Sequence, residues 1–252
     1  MSSITLKEAT QSLVAQGALT QATATALGAD SRSVGVADVS MLYDDPVFSC
    51  FLIDESGSMS PYKQSVIEGQ AAMVESLRAS MKCKKGSLFV AQYLFSSTVR
   101  ALHPFSALQP KGPDKVLVLD DSKYAPSGNT ALYKSLYYLL QDMAANLASA
   151  AQNQVKASLT IGVITDGEDT EKGIDPAEIK KVISELRGQK FLRKSVVIGL
   201  THSRFTQGML DELRERLGFD EAISLTQSDP KAVRHAFVLA SQSAVSGQGP
   251  RP

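Results

Sequence analysis

The chain has 252 residues, of which 43% are hydrophobic and 21% are charged, so it has enough apolar residues for a sizeable core. Lys and Arg together number 26, as do Asp and Glu. The sequence therefore lacks the basic excess that is typical of proteins that bind nucleic acid or anionic membranes, and we expect neither as a partner.

The cysteines and the first residues indicate a compartment. Cys50 and Cys83 lack the spacing of a disulfide framework or a zinc site, so we expect two free thiols. The start, MSSITLKEATQ, lacks the basic and then apolar layout of a secretory signal, and no apolar run is long enough to span a bilayer. These features predict a cytoplasmic protein. Redox sensing by Cys83, whose neighbouring lysines would lower the pKa of its thiol, is a minor alternative.

Residues 1–40 form a segment of their own, rich in Ala, Thr, Ser and Gln and without an aromatic residue. Leu6 and Leu13 belong to a helical apolar pattern that follows Thr5, a good N-cap, and Gly17 is suited to end that helix. We predict an N-terminal helical extension here. It either packs on the main domain, which is the simpler interpretation, or serves as an arm that binds a partner.

From Val47 onward, apolar segments typical of buried strands alternate with amphipathic helices. The strand-like segments are VFSCFLI, SLFVAQYLF, SLTIGVI, SVVIGL and AISL. Apolar stripes at helical spacing begin at Val66, Leu132, Ile179, Leu210 and Val233. We predict one domain over residues 41–243, followed by a disordered tail over residues 244–252, which are polar and rich in Gly and Pro.

One strand is predicted to run against the others. Only Ser96 and Ser97 separate SLFVAQYLF from the segment that starts at Thr98, and this break is too short for a helical crossover. Thr98–His103 should therefore lie antiparallel beside its predecessor. The fold class that follows is α/β, with a mostly parallel six-stranded sheet, one antiparallel strand and helices on both faces.

Polar side chains are concentrated in three loops of this predicted fold. Asp54, Ser56 and Ser58 follow the first strand of the domain in DESGS, and Asp166 follows the strand SLTIGVI. Thr130 precedes the second striped helix in PSGNTAL. Ligands collect at the carboxyl ends of parallel strands where the strand order reverses, so we expect these five side chains to meet.

Three hydroxyls and two carboxylates form a set of hard oxygen ligands, which suits Mg²⁺ or Mn²⁺. If Ser56, Ser58 and Thr130 bind directly while Asp54 and Asp166 act partly through water, the inner ligands are nearly neutral. The cation then keeps most of its charge and attracts an anionic oxygen from outside. We expect that oxygen to come from an Asp or Glu carboxylate of a partner protein.

This combination resembles the von Willebrand factor A-type domain and its metal-ion-dependent adhesion site. The family's first motif, Asp-x-Ser-x-Ser, is matched by Asp54, Ser56 and Ser58. Its isolated threonine before a helix is matched by Thr130, and its Asp-Gly after a strand is matched at Asp166. All five metal positions of the family are therefore present in the sequence.

The resemblance covers residues from about 45 to 243 and leaves the extension uncovered. It implies a Rossmann-like doubly wound sheet, a bound Mg²⁺ or Mn²⁺, and protein recognition without catalysis. Intracellular members often serve in multiprotein assemblies, so the resemblance implies a partner such as an AAA-type ATPase or a stress-response complex. No residue of the sequence selects among these.

Three other interpretations of the loops stay open, and a fourth is disfavoured. DESGSM taken alone favours a helix N-cap. Asp54 at a strand end also suggests a metal-dependent phosphatase-like hydrolase with this residue as nucleophile, although Ser56 stands where such enzymes carry a second acid. A serine hydrolase is disfavoured because Ser56 lacks the G-x-S-x-G turn. The last interpretation is a vestigial scaffold in which metal binding matters little.

Overall fold

A computed structural model of the chain describes residues 2–30, 32–39, 45–111, 114–167, 169–171, 173–226, 235 and 237–239. In chain order the elements are β1 (Ser2–Thr5), α1 (Leu6–Ala15), α2 (Gln21–Leu27), β2 (Ser33–Val36), β3 (Val47–Asp54), α3 (Lys63–Ala79), α4 (Met81–Lys84), β4 (Leu88–Phe95), β5 (Val99–Ala107), α5 (Leu132–Gln152), β6 (Ser158–Thr165), α6 (Pro176–Gly188), β7 (Leu192–Thr201), α7 (Gln207–Leu217) and β8 (Glu221–Thr226). A 3₁₀ turn at Gly57–Tyr62 joins β3 to α3.

The main sheet has six strands in the order β5-β4-β3-β6-β7-β8. All neighbouring pairs are parallel except β4 and β5, which are antiparallel as the sequence predicted. Every residue of β3, β4 and β6 is buried, because helices cover both faces of the sheet. The predicted α/β class with a mostly parallel six-stranded sheet is therefore confirmed.

Two apolar clusters fill the space between the sheet and its helices. One joins α5, α6 and α7 to one face of the sheet, and the other packs α3 on the opposite face. The predicted stripes provide these contacts: Leu136 of α5 and Val74 of α3, for example, are fully buried. Of the last predicted stripe, Val233 lies outside the described residues, whereas Phe237 is buried against Gly69 of α3.

The N-terminal segment contains the predicted helices, α1 and α2, which pack on the outer side of α5 and on α6. Leu6 and Leu13 of α1 are fully buried in the same cluster as α5. The structure adds an antiparallel pair that the sequence did not indicate, β1 with β2. The predicted domain boundary at residues 40–41 and the tail at 244–252 lie outside the described residues.

Both thiols are free and buried. The Cys83 thiol donates to the Leu108 carbonyl at 3.3 Å, and burial raises the pKa of Cys83 to about 11. The expectation that the neighbouring lysines lower this pKa was wrong, because desolvation of the thiolate dominates and outweighs the one lowering charge, that of Arg78. Among the described residues, no helix combines the length and the apolar character needed to cross a membrane.

Candidate metal centre

The candidate site lies where the order of the sheet reverses. From β3 the chain continues outward through β4 and β5, and from β6 it continues the other way through β7 and β8. The two central strands are parallel neighbours with Ile53 opposite Ile164, so both end at the same edge. Asp54 and Asp166 therefore lie near each other at the switch point of the sheet, which is where α/β proteins bind ligands.

Asp54 is completely buried, and protein donors occupy both of its carboxylate oxygens. The Ser56 amide donates to Oδ1 at 2.7 Å, and the Thr165 hydroxyl donates to Oδ2 at 2.6 Å. Burial raises the pKa of Asp54 to about 6, against the lowering effect of these two hydrogen bonds. Through these hydrogen bonds the Asp54 carboxylate fixes the conformation of the loop after β3, and its ionised form places a negative charge next to that loop.

A chain of hydrogen bonds joins the two serines to Asp166. The hydroxyl oxygens of Ser56 and Ser58 are 3.1 Å apart, and the Ser58 hydroxyl donates to Asp166 Oδ1 at 2.8 Å. Asp166 Oδ2 is buried and has no hydrogen-bond partner among the described residues. Burial also raises the pKa of Asp166, because a desolvated carboxylate disfavours its charged form. A buried, unsatisfied carboxylate oxygen beside two hydroxyls is a site that a cation would stabilise.

The loop before α5 reaches this cluster through its backbone. The Gly57 amide donates to the Gly128 carbonyl at 3.0 Å. The Thr170 amide donates to the Thr130 carbonyl at 2.8 Å, and the Thr130 amide donates to the Thr170 hydroxyl at 2.9 Å. Gly128 has φ of +79° and would bring a Cβ within 3.0 Å of the Ser97 hydroxyl, so this turn requires glycine. No hydrogen bond links the Thr130 hydroxyl to the other four candidate side chains in the described part of the chain.

The structure also identifies supporting residues outside the predicted ligand set. Thr165 binds Asp54 as described, and the buried Tyr124 hydroxyl donates to the Asp54 carbonyl at 2.6 Å. Asp169 accepts from the Tyr133 amide at 3.0 Å and so caps α5, whose own N-cap residue makes no side-chain bond. Thr165 and Asp169 belong to the segment ITDGEDT around Asp166, so their closeness to Asp166 in the sequence was a usable signal. Tyr124 carried no such signal.

Glu55 lies between Asp54 and Ser56 in the sequence, but its side chain points away from the cluster. Its carboxylate pairs with Arg100, with Nη2 at 2.8 Å from Oε1 and Nε at 3.1 Å from Oε2. It also accepts from the Ala125 amide at 2.8 Å. Glu55 therefore ties β5 and the segment before Thr130 to the end of β3, and it does not contribute to the candidate ligand set.

The residues present suit a hard divalent cation. Within the described ranges, no group of three or more His, Cys, Asp or Glu side chains is close enough to hold a metal, so a site here would have to include hydroxyl ligands. The two serine hydroxyls and the free oxygen of Asp166 meet that requirement.

Comparison with known proteins identifies the family. The family model of the von Willebrand factor type A domain matches residues 50–244, and the chain belongs to this family. Members are commonly involved in protein–protein interaction or adhesion. No curated protein matches the chain in sequence.

Solved structures show the same fold at low sequence identity. A von Willebrand factor type A protein from Catenulispora acidiphila is 16% identical with a TM-score of 0.52, and the match covers 79% of this chain and 43% of that one. The ArnB paralog VWA2 from Sulfolobus acidocaldarius is 15% identical with a TM-score of 0.51, covering 77% and 45%. The pilus adhesin SpaC from Lactobacillus rhamnosus GG is 11% identical with a TM-score of 0.56, covering 84% and 31%. This chain thus spans less than half the length of each.

Proposed function

We propose that the protein is a non-catalytic binding module that captures an acidic side chain of a partner protein through a divalent cation. One observation carries the proposal: Ser56, Ser58 and Asp166 form a hydrogen-bonded chain at the switch point of the sheet, and Asp166 keeps one buried oxygen without a partner in the described residues. Membership of the von Willebrand factor type A family supports the same function.

The cation is Mg²⁺ or Mn²⁺, held by the hydroxyls of Ser56, Ser58 and Thr130 with Asp54 and Asp166 in support. The hydrogen bonds already made by both Asp54 oxygens favour an indirect role for this residue, through water or through the loop that it shapes. Bound among neutral hydroxyls, the cation would supply a strong positive charge at the sheet edge, and a partner carboxylate would complete its coordination.

The expected partner and compartment rest on the cysteines, the charge balance and the family, and not on the geometry of the site. The module would work in a cytoplasmic multiprotein assembly, of which an AAA-type ATPase or a stress-response complex is an example. The two free, buried thiols support a reducing compartment. The balance of 26 basic and 26 acidic residues supports a protein partner rather than nucleic acid or a membrane.

Thermal unfolding with and without Mg²⁺ tests the metal site. For a dissociation constant of about 0.1 mM, Mg²⁺ at about 10 mM stabilises the fold by about 2.7 kcal/mol. For a chain of this size, this free energy raises the Tm by roughly 5–11 °C. The double variant Asp54→Ala/Ser56→Ala should lose this increase. Ser60→Ala is the matched control, because Ser60 lies in the same 3₁₀ turn but its exposed hydroxyl binds the Gly57 carbonyl. An unchanged wild-type Tm in Mg²⁺ contradicts the metal site.

Affinity purification from the native host tests the mode of capture. Partners should be retained in Mg²⁺ and released by EDTA, and the Asp54→Ala/Ser56→Ala variant should retain none of them. Equal retention of the same partners in chelator would rule out a metal-bridged contact.

The alternative of a phosphatase-like hydrolase that uses Asp54 as nucleophile receives no support from the geometry. The carboxylate is completely buried, and each of its oxygens accepts a hydrogen bond from the protein. A nucleophile must instead present an oxygen to its substrate. Phosphatase and esterase activity should be absent in Mg²⁺, and a turnover that disappears in Asp54→Asn would favour the enzyme.

A further inference from the structure

The turn between β7 and α7 lies next to the candidate metal centre. His202 follows the last residue of β7, and it exchanges backbone hydrogen bonds with Phe205 at 2.9 and 3.2 Å. Phe205 is buried, and Thr206 caps α7 immediately afterwards. The backbone of this turn is therefore held at both ends by hydrogen bonds, and it carries the side chain of His202.

The ring of His202 is held at both of its nitrogens. The Arg204 amide donates to Nδ1 at 3.2 Å, and Nε2 lies 3.0 Å from the Asp166 carbonyl oxygen. A ring nitrogen that accepts from an amide cannot carry a proton, so the proton of the neutral ring lies on Nε2. Nε2 then donates to the Asp166 carbonyl, and both hydrogen bonds are satisfied by one tautomer.

This bond acts on the peptide of Asp166, whose side chain belongs to the candidate centre. The Asp166 carboxylate accepts from Ser58 through Oδ1 and leaves Oδ2 buried without a partner among the described residues. Asp166 is the first residue after β6, where the ladder to β7 has ended at the Thr165–Gly199 pair. The imidazole therefore provides a link between the two strand ends beyond the last ladder pair.

We propose that His202 is a positioning residue of the metal centre, which holds the Asp166 peptide so that the carboxylate keeps its place beside Ser58. The inference rests on the proposed function and extends it to a residue that does not itself bind the cation. It also links the start of α7 to the centre, because the turn that holds His202 leads directly into that helix.

Calorimetric titration of the full chain with Mg²⁺ tests this role. His202→Leu should bind Mg²⁺ roughly tenfold more weakly than wild type, the factor that corresponds to about 1.4 kcal/mol and to the loss of one ordinary hydrogen bond. His202→Gln should recover most of the affinity, because its amide can also donate to the Asp166 carbonyl. His103→Leu is the structural control: His103 is buried on the edge strand β5, so its loss should lower the Tm and leave the Mg²⁺ affinity unchanged.

Amide exchange of the metal-free protein gives a second readout that needs no bound ion. In EDTA, the Gly167 amide should exchange several times faster in His202→Leu than in wild type, and His202→Gln should restore slow exchange. Equal Mg²⁺ affinity and equal exchange in wild type and His202→Leu overturn this inference alone. A wild type that fails to bind Mg²⁺ overturns the proposed function, and the metal-positioning role of His202 with it.

Discussion

Thr165 shows how a single hydroxyl can hold a buried charge in place. It lies at the end of β6, fully buried, and donates to Asp54 Oδ2 at 2.6 Å while accepting from the Gly167 amide. Hydrogen bonds to charged groups contribute about 1.5–3 kcal/mol, whereas those between neutral groups contribute about 0.5–1.5 kcal/mol. Thr165 should therefore be worth more to stability than another buried threonine of the same strand.

Thr165→Val should lower the free energy of unfolding by about 2 kcal/mol in metal-free buffer at pH 8, where Asp54 is ionised because the pKa of its carboxyl is about 6. Thr160→Val is the matched control, since Thr160 is also buried on β6 but donates to the neutral Ser49 hydroxyl at 2.9 Å. Its expected cost is about 1 kcal/mol. Denaturant titration measures both, and equal losses would contradict the charge-assisted bond.

The position of the candidate ligand residues at one edge of the sheet could be predicted from the sequence, whereas two of the residues that support them could not. Asp54, Ser56 and Ser58 follow an apolar run that ends abruptly, and Asp166 follows a second one, so a parallel sheet must bring them to one edge. Tyr124 and His202 act through single hydrogen bonds to backbone carbonyls. Such bonds depend on the final path of the loops, which no local pattern encodes.

At the scale of elements, α5 lies between the sheet and the N-terminal extension and binds both. Arg32 of the extension pairs with Asp142 of α5 at 2.7 Å, and its guanidinium lies 3.7 Å from the centre of the Tyr138 ring. Asp142 also accepts a hydrogen bond from the Tyr93 hydroxyl of β4. The Asp142 carboxylate of α5 thus connects the extension, through Arg32, to the sheet, through Tyr93. The extension is therefore packed against the rest of the structure.

Arg32→Met should lower the free energy of unfolding by about 2–3 kcal/mol, because it leaves the largely buried Asp142 carboxylate without its cation. The double variant Arg32→Met/Asp142→Asn should lose less than the sum of the two single variants, since the second change removes the unpaired charge. Denaturant titration of all four proteins measures this coupling. Strictly additive losses would show that the ion pair does not fasten the extension.

A second contact fastens the extension to α6 and depends on pH. Glu185 accepts from the Thr20 amide, the Thr20 hydroxyl and the Thr23 hydroxyl at 2.7–2.9 Å. Partial burial raises the pKa of Glu185, but these hydrogen bonds outweigh it and hold the pKa below its usual value. A carboxyl with a lowered folded-state pKa adds stability above its unfolded-state pKa, and this contribution disappears as the pH falls through the folded-state pKa.

Glu185→Gln should therefore flatten the acid limb of the stability profile. Between about pH 6 and pH 3, the wild type should lose more unfolding free energy than the variant, and the two should converge at the acid end. Glu212→Gln on the exposed side of α7 is the control and should follow the wild-type profile. Parallel profiles for wild type and Glu185→Gln would contradict a role for the ionised carboxylate.

Most elements of the main sheet could be predicted because each carries its own signal. Continuous apolar runs marked the strands buried on both faces, and the short break after Phe95 marked the antiparallel turn. β1 and β2 carried no comparable signal. Each has only four residues, and their pairing depends on how the extension packs against α5.

The fold of the whole molecule brings three loops that are distant in sequence to the switch point of the sheet, and packed elements surround them. The backbone bond between Gly57 and Gly128 and the pair between Glu55 and Arg100 join the loops around the candidate centre. The helices on both faces and the extension against α5 stabilise the strands from which these loops emerge. We expect these contacts to hold the loops in one arrangement and so to reduce the entropy that the proposed metal site loses on binding.

The central claim is that neutral hydroxyls at this edge of the sheet bind a divalent cation. One coordination position of this cation stays open for a carboxylate of a partner protein. A crystal grown in Mn²⁺ tests it most directly, because the anomalous signal of the ion locates it independently of the protein. We expect an anomalous peak within about 2.0–2.3 Å of the Ser56 and Ser58 hydroxyl oxygens, with water or a carboxylate from outside the chain at another ligand position. No peak at saturating Mn²⁺, or a peak bound only by protein carboxylates, would contradict it.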